Sequence, residues 1–357
     1  MPDDFIRKTQ FRDIDLDDPF FDSLKEAYAA EFASWFAKKA TQGEEAYVGY
    51  SEDNRVHAFL YVKEEQGTVN DITPHLNTTR CLKIGTFKID AHGTKLGERF
   101  IKKIFDETLE RGLRHAYVTI FPKHEPLIKL LKRYGFDKYG IKETINGIEH
   151  VYLKDLSKIR NDLLLDYPVI NAQNNKKWLL GIWPQFHTRL FPDSILKTEN
   201  SNIIDDLSYT NSIHKVYIAF MVGLDQINTR DCLVIYRTAD QGMRPWFKSV
   251  ATALCVVQET RSKNSFLTEK EFIEYSSRHS IFTRRELSEL FHRKTKHPMY
   301  AIQMTYNIAL PKRPNMKQLV EDVGLERNQY WGFSEIPHDN FTQLLQVSHV
   351  HEGTVLY

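Results

Sequence analysis

The stretch "NAQNNKK", Asn171–Lys177, constrains the fold of this chain more than any other feature. It is polar and rich in asparagine, and apolar runs flank it on both sides, as suits an exposed connection. A chain of 357 residues has room for two domains of ordinary size. Cut at this stretch, it gives parts of roughly 165 and 185 residues, each long enough to bury a core. The expected division is a first domain over 1–158, a connection over 159–175 and a second domain over 176–357.

The first part reads as mixed α and β. "FIRKTQF" is strand-like, and "PFFDSLKEAYAAEFASWFAKKA" has helical period. "EAYVGYS" and "RVHAFLYVKEE" alternate as two strands around the turn "SEDN", and "TRCLKIGTFKID" is a longer strand. In the helix that follows, Leu96, Phe100, Ile104 and Phe105 share one face, and Gly112 suits its C-cap. "HAYVTIFP" is a buried strand, "EPLIKLLKRYGF" a short helix ending at Gly135, and "HVYLKDL" a closing strand. The turn "HGTKLG" joins the long strand to its helix. A small basic turn at a helix start suits an anion, because the first turn carries unpaired N–H groups and the positive end of the dipole.

The second part is richer in strands: "KWLLGIW", "KVYIAFMV", "CLVIYRT", "VATALCVVQET" and "YAIQMTYNIAL" are β-branched or aromatic runs. Two helices among them open on capping boxes, Thr268 with Glu271 and Thr283 with Glu286. Many short strands with few helices point to a small barrel.

Apolar residues make up 41% of the chain and charged residues 27%, the balance of a soluble globular protein. No run approaches the roughly 18 apolar residues that a membrane span needs. The opening "MPDDFIRKTQ" lacks the apolar centre of a signal peptide. Cys81, Cys232 and Cys255 are widely spaced and read as reduced core thiols of a cytoplasmic protein. His349 and His351 could chelate, but no third ligand stands near them in sequence, so no metal site is expected. The net charge of +1 hides basic clusters around Lys95–Lys103, Lys123–Arg133 and Arg284–Lys296. Such a total neither requires nor excludes a nucleic-acid partner.

Residues 82–136 resemble the central half of the GCN5-related N-acetyltransferase (GNAT) family, and the likeness extends over about residues 5–155. That family has a pyrophosphate loop of the form Arg/Gln-x-x-Gly-x-Gly/Ala. Here His92 takes the first position, Lys95 the place of the first glycine and Gly97 the last. The family's later pattern, Asn-x-x-Ala-x-x-Leu-Tyr and then Gly-Phe, reads "HEPLIKLLKRYGF", with Gly135 and Phe136 matching. The resemblance implies acetyl-CoA as cosubstrate, held by Phe87, Lys88 and Ile89 of a splayed strand and by His92, Gly93, Thr94, Lys95, Leu96, Gly97 and Glu98. Leu131 replaces the tyrosine that protonates the leaving thiolate in the family. Tyr134 or His124 is the candidate substitute, with Tyr139 farther off. Glu64, Glu65 and Asp90 end strands and are candidate bases, Glu65 foremost.

"WLLGIWPQFHTRLF" opens a second resemblance, to PUA-like domains of the ASCH and EVE kind, over about residues 176–346. The Gly-x-Lys-x-x-Glu-x-Arg motif of ASCH proteins is absent, and "FPDSILKTEN" stands in its place. This resemblance implies nucleic-acid binding, with RNA favoured. Trp183 and Trp246 are flat faces for bases; Phe247, Tyr330 and Trp331 are others. Arg237, Arg244, Lys248, Arg284, Arg285, Arg293 and Lys294 are candidate phosphate contacts. The whole is expected to be α+β: a GNAT-type mixed sheet flanked by helices, then a PUA-like small β-barrel with helices. The expected activity is acetylation of an amine on a nucleic-acid-linked substrate, tRNA or aminoacyl-tRNA. The alternatives are a protein N-acetyltransferase, with the barrel as interaction module, and a non-catalytic nucleic-acid reader.

Overall fold

The computed structural model describes residues 5–51, 53–90, 96–192 and 212–357. The fold is mixed α+β, and the chain divides into two compact units between Arg160 and Asn161. None of the described helices is long and apolar enough to cross a membrane.

The first unit contains β1 (Phe5–Gln10), α1 (Asp22–Thr41), β2 (Glu45–Tyr50), β3 (Val56–Gln66), β4 (Arg80–Ile89), α2 (Leu96–Glu110), β5 (His115–Ile120), α3 (Glu125–Arg133), β6 (Asp137–Thr144) and β7 (Gly147–Asp155). Seven strands form one sheet in the order β1-β2-β3-β4-β5-β7-β6. Every neighbouring pair is antiparallel except β4 and β5. Alternation along the strands gives the sheet two apolar faces. On one, Phe11 is fully buried and meets Trp35 and Phe36 of α1, with Phe59 and Tyr61 of β3, edge to face. On the other, α2 buries Leu96, Phe100, Ile104 and Phe105, the stripe expected from their spacing. Gly112 closes that helix in the left-handed region, at φ 62°.

The second unit contains β8 (Ile170–Asn171), β9 (Lys177–Ile182), α4 (Pro184–Leu190), β10 (His214–Phe220), β11 (Cys232–Arg237), α5 (Pro245–Lys248), β12 (Val250–Ser262), α6 (Glu269–Ser277), α7 (Arg284–His292), β13 (Met299–Ala309), α8 (Met316–Glu321), β14 (Phe333–Glu335), α9 (His338–Val347) and β15 (Val355–Leu356). Six strands form a sheet in the order β10-β13-β12-β11-β9-β14, and β8 pairs with β15 separately. β9 and β11 run parallel, and every residue of both is buried, as continuous apolar runs require. Among the described residues β10 and β14 do not pair, so the expected closed barrel is not seen as a closed hydrogen-bonded sheet. The helices α6 and α7 begin where their caps lie. Thr283 and Glu286 form a reciprocal box, whereas Glu271 reaches back to the Leu267 N–H rather than to that of Thr268.

The boundary falls earlier than the polar stretch suggests. Residues 161–175 belong to the second unit rather than to an exposed connection. Tyr167, Val169, Ile170 and Ala172 are buried, the Tyr167 hydroxyl donates to the Tyr306 carbonyl at 2.7 Å, and the Asn307 amide donates to the Pro168 carbonyl at 3.1 Å. The three cysteines are buried, and no disulfide joins them. Burial pushes the Cys81 thiol up to about 11 and the Cys232 thiol up to about 12.

Candidate functional site

The parallel pair β4/β5 is the unusual part of the first sheet. It is in register only over Leu82–Ala116, Lys83–Tyr117 and Ile84–Val118, although β4 runs on to Ile89 and β5 to Ile120. The cause lies in β4. Tyr61 of β3 faces Thr86 while Val62 faces Ile84, so Gly85 is one residue too many, a bulge. A bulge bends the strand that carries it, and β4 leaves β5 at this residue. Gly85 must lack a side chain, since a Cβ there would lie 2.8 Å from the Tyr61 ring. Beyond the bulge β4 stays paired to β3 up to Ile89, but its other edge has no ladder partner among the described residues.

Of the expected cofactor residues, Phe87, Lys88 and Ile89 lie on β4 beyond the bulge, and Leu96, Gly97 and Glu98 lie in the first turn of α2. Phe87 stacks toward Phe100 of α2 with ring centroids 5.9 Å apart. Lys88 points to the other face, where its ammonium sits 4.3 Å above the Phe20 ring and 3.3 Å from the Asp90 carboxylate. A Cβ on Gly97 would stand 3.7 Å from Ile89 Cδ1 and 2.8 Å from Leu130 Cδ2. The glycine thus brings the first turn of α2 close to β4 and α3. Leu96 is buried, and Glu98 receives the Tyr134 hydroxyl at 3.1 Å and pairs with Arg133 at 3.0 Å. His92, Gly93, Thr94 and Lys95 lie outside the described residues.

The predicted acid and base residues scatter. Tyr134 caps α3 and is fully buried; burial and the Glu98 charge push its phenol well above the ordinary range. His124 precedes α3 and is exposed. Partial desolvation first, and the charge of Lys123 second, hold its ring below the usual value. Glu65 is not at the opening. Register sets it beside Cys81, at the start of β4, whereas Asp90 follows the end of β4. It is a held carboxylate: Tyr117 donates to it, Lys63 lies at 2.7 Å and Lys83 at 3.3 Å. Burial alone would raise its pKa, but those partners outweigh burial and lower it.

Sequence reading missed a second carboxylate. Glu149 of β7 is only 4% exposed, and the Tyr28 hydroxyl of α1 donates to its Oε1 at 2.8 Å. Burial, and then the Glu149 charge, push the Tyr28 phenol well above its ordinary range. Since Ile120 pairs with His150, Glu149 lies just past the C-terminal end of β5, the end at which β4 diverges. Phe121, the next residue, packs on Tyr28 with ring centroids 5.7 Å apart. The signal in the sequence was an acidic residue at an alternating position of an otherwise apolar strand, "GIEHVYL".

In the second unit, aromatic and basic groups gather past the ends of β9 and β11. Trp183 follows β9 and is 64% exposed. Trp331 packs on Tyr236 with centroids 5.1 Å apart, and the Arg327 guanidinium covers the Trp246 ring at 4.8 Å. Arg244 and Lys248 are exposed beside Trp246 in sequence, at the two ends of α5. Arg237 is different: it is buried and paired with Asp240 at 3.1 Å. Arg284 and Arg285 start α7 while Arg293 and Lys294 follow its end; all four are exposed, and Arg285 pairs with Glu289 at 3.0 Å. In the same unit His187 of α4 is fully buried, with Nε2 2.8 Å from the Thr252 hydroxyl and Nδ1 unpartnered among the described residues. Burial first, then the charges of Arg237 and Arg313, press its pKa down to about 3.

No protein-family model matches this chain, and no curated protein matches it in sequence. Solved structures similar to parts of it include ASCH from Zymomonas mobilis, at 11% identity over 48% of this chain and 95% of that one, with a TM-score of 0.33. A GNAT-family acetyltransferase from Streptococcus agalactiae is 17% identical over 44% of this chain and 96% of that one, with a TM-score of 0.31. An N-acetyltransferase from Staphylococcus aureus Mu50 is 17% identical over 43% of this chain and 98% of that one, with a TM-score of 0.32. At these scores the likenesses decide nothing.

Proposed function

We propose that this chain is an acetyl-CoA-dependent N-acetyltransferase whose acceptor amine is carried on a nucleic acid, with tRNA or aminoacyl-tRNA favoured. The observation that supports the first half is the divergence of β4 from β5 at Gly85. A bared strand edge offers backbone N–H and C=O groups to an extended, amide-bearing arm, and one such N–H can stabilise the oxyanion that forms on a thioester carbonyl. Phe87, Lys88 and Ile89 supply that edge, and Leu96, Gly97 and Glu98 form the first turn of the helix after it. The N–H groups of that turn favour a diphosphate. Acetyl-CoA bound there supplies the acyl group as a thioester.

The second half rests on the aromatic and cationic surface of the second unit. Trp183, Trp246 and Trp331 offer stacking faces, and Arg244, Lys248 and Arg327 offer charge near them. The reading carries a PUA-like second domain with it. It leaves the thiolate acid to His124 or Tyr134, of which His124 has the access.

Thermal unfolding with acetyl-CoA tests the cosubstrate. A ligand of the folded state adds about 2.7 kcal/mol at a hundredfold excess over Kd. No shift at millimolar acetyl-CoA would sink the proposal. Retention of bulk tRNA, measured from low to high salt, tests the second half. Binding should weaken as salt rises, and Trp183→Ala should weaken it by about 1–3 kcal/mol at every salt concentration. A folded chain that retains no RNA at low salt makes a protein amine the acceptor instead.

A further inference from the structure

We propose that Glu149, held by Tyr28, is the carboxylate that binds the acceptor's ammonium group and takes its proton; the inference rests on the acetyl-transfer reading above. Glu149 is 4% exposed, yet no lysine, arginine or histidine pairs with it among the described residues. Among the described residues one hydrogen bond reaches it, the one that Oε1 accepts from Tyr28, and none reaches Oε2. A carboxylate taken out of water without a cation is costly, and folds that keep one commonly use it. What it lacks is a positive charge with N–H donors, and an alkylammonium supplies both.

Its place suits the role. α2 covers the sheet face onto which Phe87 and Phe105 point, and α1 covers the other. Glu149 belongs to the α1 face, since Tyr28 is a residue of α1, and it lies at the end of the sheet where β4 and β5 part. A thioester entering the opening from the α2 side would present its carbonyl to a group waiting on the α1 side. The step then balances. The ammonium gives one proton to Glu149, and the freed nitrogen lone pair attacks the thioester carbon. A C–N bond forms and the C–S bond breaks. The second nitrogen proton goes with the leaving thiolate, and Glu149 returns its proton to solvent.

Two thioethers of coenzyme A test this without knowledge of the acceptor: S-(2-aminoethyl)-CoA, which carries an ammonium two carbons from the sulfur, and neutral S-propyl-CoA of similar size. The whole 357-residue chain should bind the first roughly ten- to a hundredfold more tightly, the range for a hydrogen-bonded charge pair. In Glu149→Gln, which keeps the shape and an acceptor for Tyr28, the preference should vanish while S-propyl-CoA binds as before. Tyr28→Phe should keep the preference, since the carboxylate remains. Equal affinity for the two thioethers in the parent, or a preference that survives in Glu149→Gln, overturns the assignment and leaves acetyl transfer standing. Binding of neither thioether overturns both.

Discussion

His187 illustrates how much one side chain can bind a unit to a pH range. Its ring is fully buried, and burial with the nearby Arg237 and Arg313 charges presses its pKa to about 3, against an ordinary value near 6.5. Above pH 6.5 neither the folded nor the unfolded ring holds a proton, so the group leaves stability unchanged. Below that, the unfolded chain takes up a proton that the folded ring refuses, and stability falls by about 1.4 kcal/mol per pH unit until the folded ring titrates too. Between pH 6.5 and 5 this group alone should remove about 2 kcal/mol. His187→Gln keeps an amide N–H for Thr252 and should flatten that part of the profile in denaturant unfolding. An unchanged slope would show that the acid sensitivity lies elsewhere. Sequence alone named His187 nowhere. A histidine in "PQFHTRL" can face outward as easily as inward, and only the packing of α4 on the sheet decides. Tyr134 and Glu65 show the converse. Both residue types suit acid–base work, but depth in the fold and strand register are long-range properties, and these set one side chain inside and the other at the far end of β4.

Elements were far more legible. Periodicity located α1, α2, α3 and eleven of the fifteen described strands, because each buries a face that its own residues define. Short elements such as β8, β14 and β15 escaped, and so did two features of the first sheet. β6 was not expected: "DKYGIKET" has no buried residue, and its partner is fixed by the Ile145–Asn146 turn after it. The bulge at Gly85 was visible as a glycine inside "KIGTFKI", but its meaning depends on Tyr61 across the sheet and on where β5 stops pairing. Gly97 changes meaning in a similar way. As the last glycine of a phosphate loop it suggests room for a ligand, whereas its missing Cβ also makes room for Leu130 at 2.8 Å. Gly97→Ala should therefore destabilise α2–α3 packing by about 1 kcal/mol, the low end for overfilling a packed contact that a side chain can partly yield. In Leu130→Ala the same substitution should cost less. A double-mutant cycle in urea with no coupling between the two changes would exclude this contact as the cause.

On the scale of the whole molecule, the division between the two compact units falls before the border expected from the sequence, for a physical reason. "NAQNNKK" is polar because it turns on the surface, not because the unit begins there; the chain before it already fills the second core with Tyr167 and Ile170. A fragment starting at Asn161 should thus unfold cooperatively. One starting at Lys176 loses the Tyr167–Tyr306 bond, the Asn307–Pro168 bond and the β8–β15 pairing. It should be less stable by several kcal/mol, given that each lost buried partner costs about 1–3 kcal/mol. Comparing the two fragments by chemical denaturation checks this, and equal midpoints would restore the later border.

Gly140 bears on how this protein behaves when concentrated. β6 ends the first sheet, and its outer side would be a row of unpaired backbone groups, but Thr73 and Ile141 exchange two hydrogen bonds across it at 2.8 and 2.9 Å. That approach is possible because residue 140 has no side chain: a Cβ there would fall 2.1 Å from the Thr73 carbonyl oxygen. An open strand edge is a template on which other chains can add and aggregate. The glycine lets the loop act as a lid on that template, so its contribution is to colloidal behaviour more than to folding. Any larger residue at 140 lifts the lid and invites edge-to-edge growth between copies.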